Sequence, residues 1–284
     1  MPDSSAQPPR EDSSASVPLR SKRSFARPFV KQIDPPRGLL AAPRCLYEYA
    51  AYYCAWLLFG AGSLLWSLPA ALLGRLLPSR IGSSLGQYVI MAGFRPFVGF
   101  MKATGIIECD FRALDILRAD RSLVIAPNHP SLLDAVLVIS RLPRVVCIVK
   151  APIWDNPFLG GGARLGGYLR NDAGLRLTKR AARAVSEGVP LLIFPEGTRT
   201  RDLPVDPFKG GFALIAQRAQ APIQTVFIEC SSPFLSKSWP WYKKPAFPVV
   251  YRARLGRRFV VGADVRSFVT ELQDYYREEL GGSH

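Results

Sequence analysis

The sequence predicts an α/β protein: a mixed sheet flanked by helices, preceded by helices that associate with a membrane. Three observations carry this. From Gly105 onward, short apolar runs alternate with amphipathic stretches, the rhythm of strands and helices stacked in layers. Before that point, residues 49–74 carry no charge, a run longer than the roughly 20 apolar residues that suffice to span a bilayer. Finally, two polar clusters, around His129 and Glu196, each follow directly on a buried-strand candidate.

Taken in order, residues 1–37 are rich in Ser, Pro, Ala and Arg without apolar periodicity, and read as a disordered basic tail. Residues 38–104 form the membrane-associated helical region. Tyr52, Tyr53, Trp56 and Trp66 resemble interfacial anchors, while Gly60, Gly62 and Pro69 interrupt the run. A second apolar stretch runs from Tyr88 to Met101. Arg20, Lys22, Arg23, Lys31, Arg37 and Arg44 precede the first run, and Arg75 and Arg80 follow it. Positive charge at both ends favours a re-entrant or in-plane pair of helices on the cytoplasmic face over one simple span. Residues 105–284 are expected to form the α/β domain that carries both polar clusters. Strands are expected over 105–109, 122–127, 144–149, 189–194, 223–228, 248–254 and 258–261, and helices over 132–140, 175–186, 212–219 and 265–280. Gly160-Gly-Gly162 reads as a flexible turn. It does not fit GxGxxG, because Leu165 stands at the third glycine position, so a dinucleotide fold has little support.

The net charge of +15 asks for anionic company: nucleic acid, an anionic membrane surface or a phosphorylated ligand. No zinc-finger spacing, aromatic-basic RNA signature or basic helix with heptads supports nucleic acid, and the basic and apolar regions adjoin, which favours the membrane. A DNA binder therefore stands as an alternative on charge alone. Five cysteines without a CxxC pair and a single internal histidine leave no metal cluster, and the thiols read as reduced.

That histidine, His129, lies in Asn128-His-Pro-Ser-Leu-Leu-Asp134, at the mouth of a strand candidate, with Asp134 in the first turns of the next helix. An imidazole with an orienting carboxylate suits general-base chemistry at neutral pH. The second cluster, Glu196-Gly-Thr-Arg199, follows the strand candidate 189–194. Ligands gather where loops leave the carboxyl ends of strands, so both loops are expected to face one cleft. Lys150, Arg170 and Lys209 also follow strand candidates or lie near the second loop. Converging cations are what a phosphate-bearing substrate needs.

Asn128-His129 with Asp134, followed by Phe194-Pro-Glu-Gly-Thr-Arg199, resembles the glycerolipid acyltransferase family, typified by 1-acylglycerol-3-phosphate acyltransferases. The resemblance spans about Gly105 to Val261. It implies that His129 is the general base for an acceptor hydroxyl and that Asp134 orients and polarises it. It also implies that Glu196, Gly197, Thr198 and Arg199 form the acceptor-binding loop, and that Lys150 and Arg170 help bind the acceptor phosphate. No metal and no cofactor is implied, only acyl-CoA or acyl-carrier protein as co-substrate, with membrane lipid as the other partner. The middle motif, Gly167-Tyr-Leu-Arg170, is shorter than the family's usual form, and Gln224 and Thr225 depart from the fourth motif. These departures bear on the acceptor. Lysophosphatidic acid is expected first, a lyso-aminolipid or specialised glycolipid second. A non-catalytic lipid-binding protein is a third reading, against which the intact His129, Asp134, Glu196 and Arg199 speak.

Overall fold

In the computed structural model, residues 41–171, 174–202 and 204–281 are described. The expected basic tail at 1–37 lies outside them. Two helices come first, α1 (Ala41–Leu76) and α2 (Ser79–Ala103). The sheet then gathers β1 (Ile107–Asp110), β2 (Val124–Pro127), β3 (Val146–Val149), β4 (Leu169–Arg170), β5 (Leu191–Leu192), β6 (Ile223–Cys230) and β7 (Val249–Phe259). Its order is β1-β7-β6-β2-β5-β3-β4. Every neighbouring pair is parallel except β6 with β7, so the sheet is mixed, as expected.

Alternation along the strands sends side chains to two cores. Ile125, Val226 and Ile228 point to one face, where they meet Tyr52, Met101, Leu137 and Val138 from the first two helices and α3 (Leu133–Ile139). Val124, Ala126 and Phe227 point to the other. There Val185, Phe212, Leu272 and Tyr276 arrive from α6 (Leu175–Ser186), α7 (Gly211–Ala219) and α8 (Val265–Gly281).

Two expectations are corrected. Gly160-Gly-Gly162 is no turn: it opens the helix α5 (Gly160–Leu165), preceded by the single turn α4 (Ala151–Trp154). A Cβ on Gly161 would lie 2.0 Å from the Ser67 carbonyl oxygen, and the Gly161 amide donates to Ser67 Oγ at 2.9 Å. Close approach of α1, not freedom in a turn, demands the glycine. The two strands expected over 248–261 are one continuous β7. Its cations are accommodated by local partners: Arg254 lies over the Phe227 ring, Arg257 over Tyr275, and Arg258 pairs with Asp120.

Helix α1 is about 54 Å long at 1.5 Å per residue. Among the described helices it alone is long and apolar enough to cross a membrane. Yet it is anchored to the domain at two distant places. Tyr52 is buried against Phe234, and Ser67 and Ala70 are buried near α5. Its outer face nonetheless leaves Leu57, Leu65, Leu68, Leu72 and Leu76 exposed, so the helix is apolar on both sides.

Candidate active site

Five parallel strands (β6, β2, β5, β3 and β4) end on one edge of the sheet, and every sequence-predicted site residue leaves from that edge. Two pairings build the centre of it. Asn128, just past β2, uses its side-chain amide to continue the ladder: Nδ2 donates to the Ile228 carbonyl at 2.9 Å, and Oδ1 accepts from the Ile228 amide at 2.7 Å. His129 follows with its backbone fixed on both sides. Its amide donates to Glu196 Oε1 at 2.9 Å, and its carbonyl accepts from the Thr200 amide at 2.8 Å.

The imidazole is held equally firmly. Nδ1 lies 3.0 Å from Asp134 Oδ2, which also accepts the Ser131 amide at 2.7 Å, a reach-back from the first turn of α3. This fixes the tautomer with the proton on Nδ1 and leaves Nε2 as the basic nitrogen. The ring stacks on Phe194, centroids 3.8 Å apart and planes 16° from parallel. Asp134 is 0% exposed. Burial pushes its carboxyl above the usual aspartate range, against the hydrogen bonding and charge of His129.

Ser131 ties this turn to a distant loop. Its Oγ donates to the Phe234 carbonyl at 2.9 Å and lies 3.0 Å from the Tyr251 hydroxyl. The Leu132 amide donates to the Leu235 carbonyl. Leu132 and Leu235 help to line an apolar cavity with Tyr52, Phe59, Phe97 and Met101.

The cations divide. Arg199 donates through Nη1 to the Leu235 and Ser236 carbonyls, at 2.9 and 2.8 Å, so one arm of its fork braces the 231–248 loop. Burial draws its pKa down while the Asp134 carboxylate draws it up. Lys150 ends β3 and is exposed. Lys237, which sequence reasoning missed, completes the group. Its ammonium is held below the usual lysine value by desolvation and then by the nearby Arg201, Lys150 and Arg199 cations, with Asp206 opposing. Lys209 packs against Gly197, whose φ of +68° favours glycine. Thr198 is half-buried in the same turn.

Two expected contributors stand apart. Arg170 ends β4, three strands from β2 and so about 14 Å along the edge, where it pairs with Asp155 at 3.1 Å. β4 is the direct neighbour of β3, with Arg170 opposite Val149, so Arg170 stands beside the strand that Lys150 follows. Glu196 does not face the cleft. It is 1% exposed, and its oxygens accept from the His129 amide, Thr200 Oγ1 and the Asp206 amide, each at 2.9 Å. It fastens the second loop to the first, with no carboxylate oxygen left over for a substrate.

Comparison with known proteins gives this arrangement its class. A family model described as Acyltransferase matches residues 108–229. An uncharacterized acyltransferase of Schizosaccharomyces pombe is 30% identical over 199 residues, covering 66% of this chain and 68% of that protein. The chain belongs to the glycerolipid O-acyltransferase family. Relatives named 1-acyl-sn-glycerol-3-phosphate acyltransferase include one from Limnanthes douglasii (36% identical, 34% of this chain and 37% of that protein). The beta form from Homo sapiens is 29% identical, over 54% of this chain and 58% of that protein. The chain thus spans roughly a third to three fifths of the length of these two relatives. The crystal structure of the 1-acyl-sn-glycerophosphate (LPA) acyltransferase PlsC from Thermotoga maritima shares the fold, with a TM-score of 0.64 at 16% identity over 85% of this chain and 96% of that one.

Proposed function

We propose that this protein transfers a fatty acyl group from an acyl thioester, acyl-CoA or acyl-carrier protein, to the free hydroxyl of a lysophospholipid, with 1-acylglycerol-3-phosphate giving phosphatidic acid as the first choice. The observation that carries the reading is the His129–Asp134 pair at 3.0 Å, on the turn that also carries Leu132 into the lining of an apolar cavity. His129 Nε2 takes the hydroxyl proton as the oxygen attacks the thioester carbonyl. The tetrahedral adduct collapses, the C–S bond breaks, and the imidazolium returns the proton to the departing thiolate. Asp134 stabilises the imidazolium without taking its proton. No enzyme nucleophile is needed. Cys230 neighbours Asp134 and Tyr251, and burial pushes it up to about 12, far from a thiolate at neutral pH.

Arg199, Lys150 and Lys237 favour a phosphate on the acceptor. Arg170, on the outermost strand and paired with Asp155, is assigned a supporting part. The exposed apolar face of α1 favours membrane attachment. Tyr52 and Ala70, both buried against the domain, lie about 27 Å apart along that helix. A helix bound over nearly the thickness of a hydrocarbon core cannot cross it without drawing the domain in, which favours the in-plane arrangement.

The test is thioester release by purified full-length protein, in detergent, across a panel of lyso-acceptors. Lysophosphatidic acid should react fastest, and His129→Ala should lose about 10²–10⁴ in rate, roughly 3–5 kcal/mol of transition-state stabilisation. Wild-type turnover by His129→Ala would overturn the mechanism. Faster reaction of a lyso-aminolipid or non-phosphorylated glycolipid would overturn the acceptor.

A further inference from the structure

The long connection between β6 and β7, residues 231–248, is not needed to close a hairpin. A few residues would join two antiparallel strands. Its first part has been accounted for: the carbonyls of Phe234, Leu235 and Ser236 hold Ser131, Leu132 and Arg199. Its second part does something else. Trp241 is 62% exposed and Tyr242 60% exposed, side by side. Both are bound through their backbones to α1: the Tyr52 hydroxyl donates to the Trp241 carbonyl, and the Tyr53 hydroxyl donates to the Tyr242 carbonyl at 3.1 Å. Trp241 also meets the edge of Trp56, with centroids 6.3 Å apart. Lys244 crosses from the loop to Glu48 of α1 at 2.7 Å. The two exposed aromatics thus extend the apolar outer face of α1, beside the exposed Tyr49, Tyr53 and Leu57. Exposed Lys243 stands with them, its ammonium over the Trp239 ring at 5.3 Å.

Trp and Tyr with lysine at the rim of an apolar face is the composition of a membrane interface. A chain of net charge +15 supplies the attraction for an anionic surface. We infer that residues 239–243 form a second bilayer contact, which seats Trp241 and Tyr242 among the headgroups of an anionic membrane and Lys243 against their phosphates. The inference rests on the membrane attachment of α1 proposed above. It adds that the loop shaping the active site is itself held by the bilayer. Only two residues separate Ser236, which receives Arg199, from Trp239, so the contact fixes the height of the site above the membrane plane.

The experiment uses the full chain and vesicles of phosphatidylglycerol or phosphatidylcholine. Wild type should sediment with phosphatidylglycerol vesicles. Trp241→Ala with Tyr242→Ala should weaken that partitioning roughly ten-fold, the scale of withdrawing exposed aromatic surface from an apolar environment. Lys243→Gln should weaken it about five-fold on phosphatidylglycerol, from about 1 kcal/mol per surface lysine, and little on phosphatidylcholine. Brominated phosphatidylglycerol should quench tryptophan fluorescence less in Trp241→Phe than in wild type. Turnover of a short-chain, monomeric lyso-acceptor should be unchanged in all these variants, which separates a lost bilayer contact from a damaged site. Variants that bind like wild type, with unaltered quenching in Trp241→Phe, would overturn the loop contact while leaving α1 attached. A wild type that ignores both vesicles would overturn the α1 reading itself, and with it this one.

Discussion

Glu196 offers a sharp perturbation, because its work is internal. Replacing it with Ala strips the acceptor from the His129 and Asp206 amides and from the Thr200 hydroxyl. A buried donor left without a partner costs about 1–3 kcal/mol, so the two amides alone suggest about 2–6 kcal/mol. Part of this is returned, since burial pushes the Glu196 carboxyl above its usual range and the variant no longer confines that charge. The net expectation is therefore about 2–4 kcal/mol. At roughly 2–4 °C per kcal/mol for a domain of this size, Tm should fall by roughly 5–15 °C. Glu196→Gln retains one oxygen and should fall between the Ala variant and wild type. Because His129 loses its backbone restraint, kcat should drop at temperatures where the variant remains folded, with the KM of both substrates changing less. Scanning fluorimetry in detergent and thioester-release kinetics measure the two effects. An Ala variant with wild-type Tm and kcat would refute the idea that this carboxylate joins the loops. A selective rise in acceptor KM would instead restore it to substrate binding.

Further outcomes follow from the same geometry. Asp134→Asn should be inactive yet no less stable than wild type at pH 8. The raised carboxyl means that the fold binds a proton more tightly than the unfolded chain, so wild-type stability falls as pH rises through that window. Thermal melts followed upward from about pH 3.5, below the unfolded aspartate value, should therefore show the difference shifting towards the Asn variant as pH rises. Arg199→Ala should raise the acceptor KM more than the donor KM, and Arg170→Ala, on the outermost strand and paired with Asp155, should do so less; equal effects in steady-state kinetics would give Arg170 a full share in acceptor binding. Gly161→Ala should loosen α1 from α5, visible as faster proteolysis of α1 in detergent, because a Cβ there meets the Ser67 carbonyl at 2.0 Å. A chain beginning at Gly105 should aggregate rather than become soluble, since it loses Tyr52, Val98 and Met101 from the core; a monodisperse gel-filtration peak would contradict this.

The parts of the site that were legible in the sequence are the local ones. His129 and Asp134 lie within one strand-to-helix turn, so their spacing alone nearly determines their contact. The shared sheet edge was legible because each polar cluster followed an apolar run. What depends on distant chain segments was not. Lys237 sits in a loop whose sequence says only that it is aromatic and basic, and it joins the cations because β6 neighbours β2. Arg170 looked equivalent to Lys150, and the strand order that sets it beside β3 on the outermost strand could not be read from the sequence. Glu196 looked like a ligand because a carboxylate in a polar loop ordinarily faces water. The Gly160–Gly162 run misled for the opposite reason: glycine disfavours helix locally, but tertiary contact with Ser67 outweighs propensity.

The stacking of His129 on Phe194 limits how an alcohol can arrive. One face of the imidazole is covered, and Nδ1 is occupied by Asp134. The remaining lone pair on Nε2 lies in the ring plane, so a hydroxyl must come in edgewise, along a single line. Primary alcohol, secondary alcohol and water are all competent by reactivity alone. Under the proposed acyl transfer, selection among them falls to whichever molecule can be held on that line, so that direction of approach, rather than acidity of the alcohol, would do the discriminating.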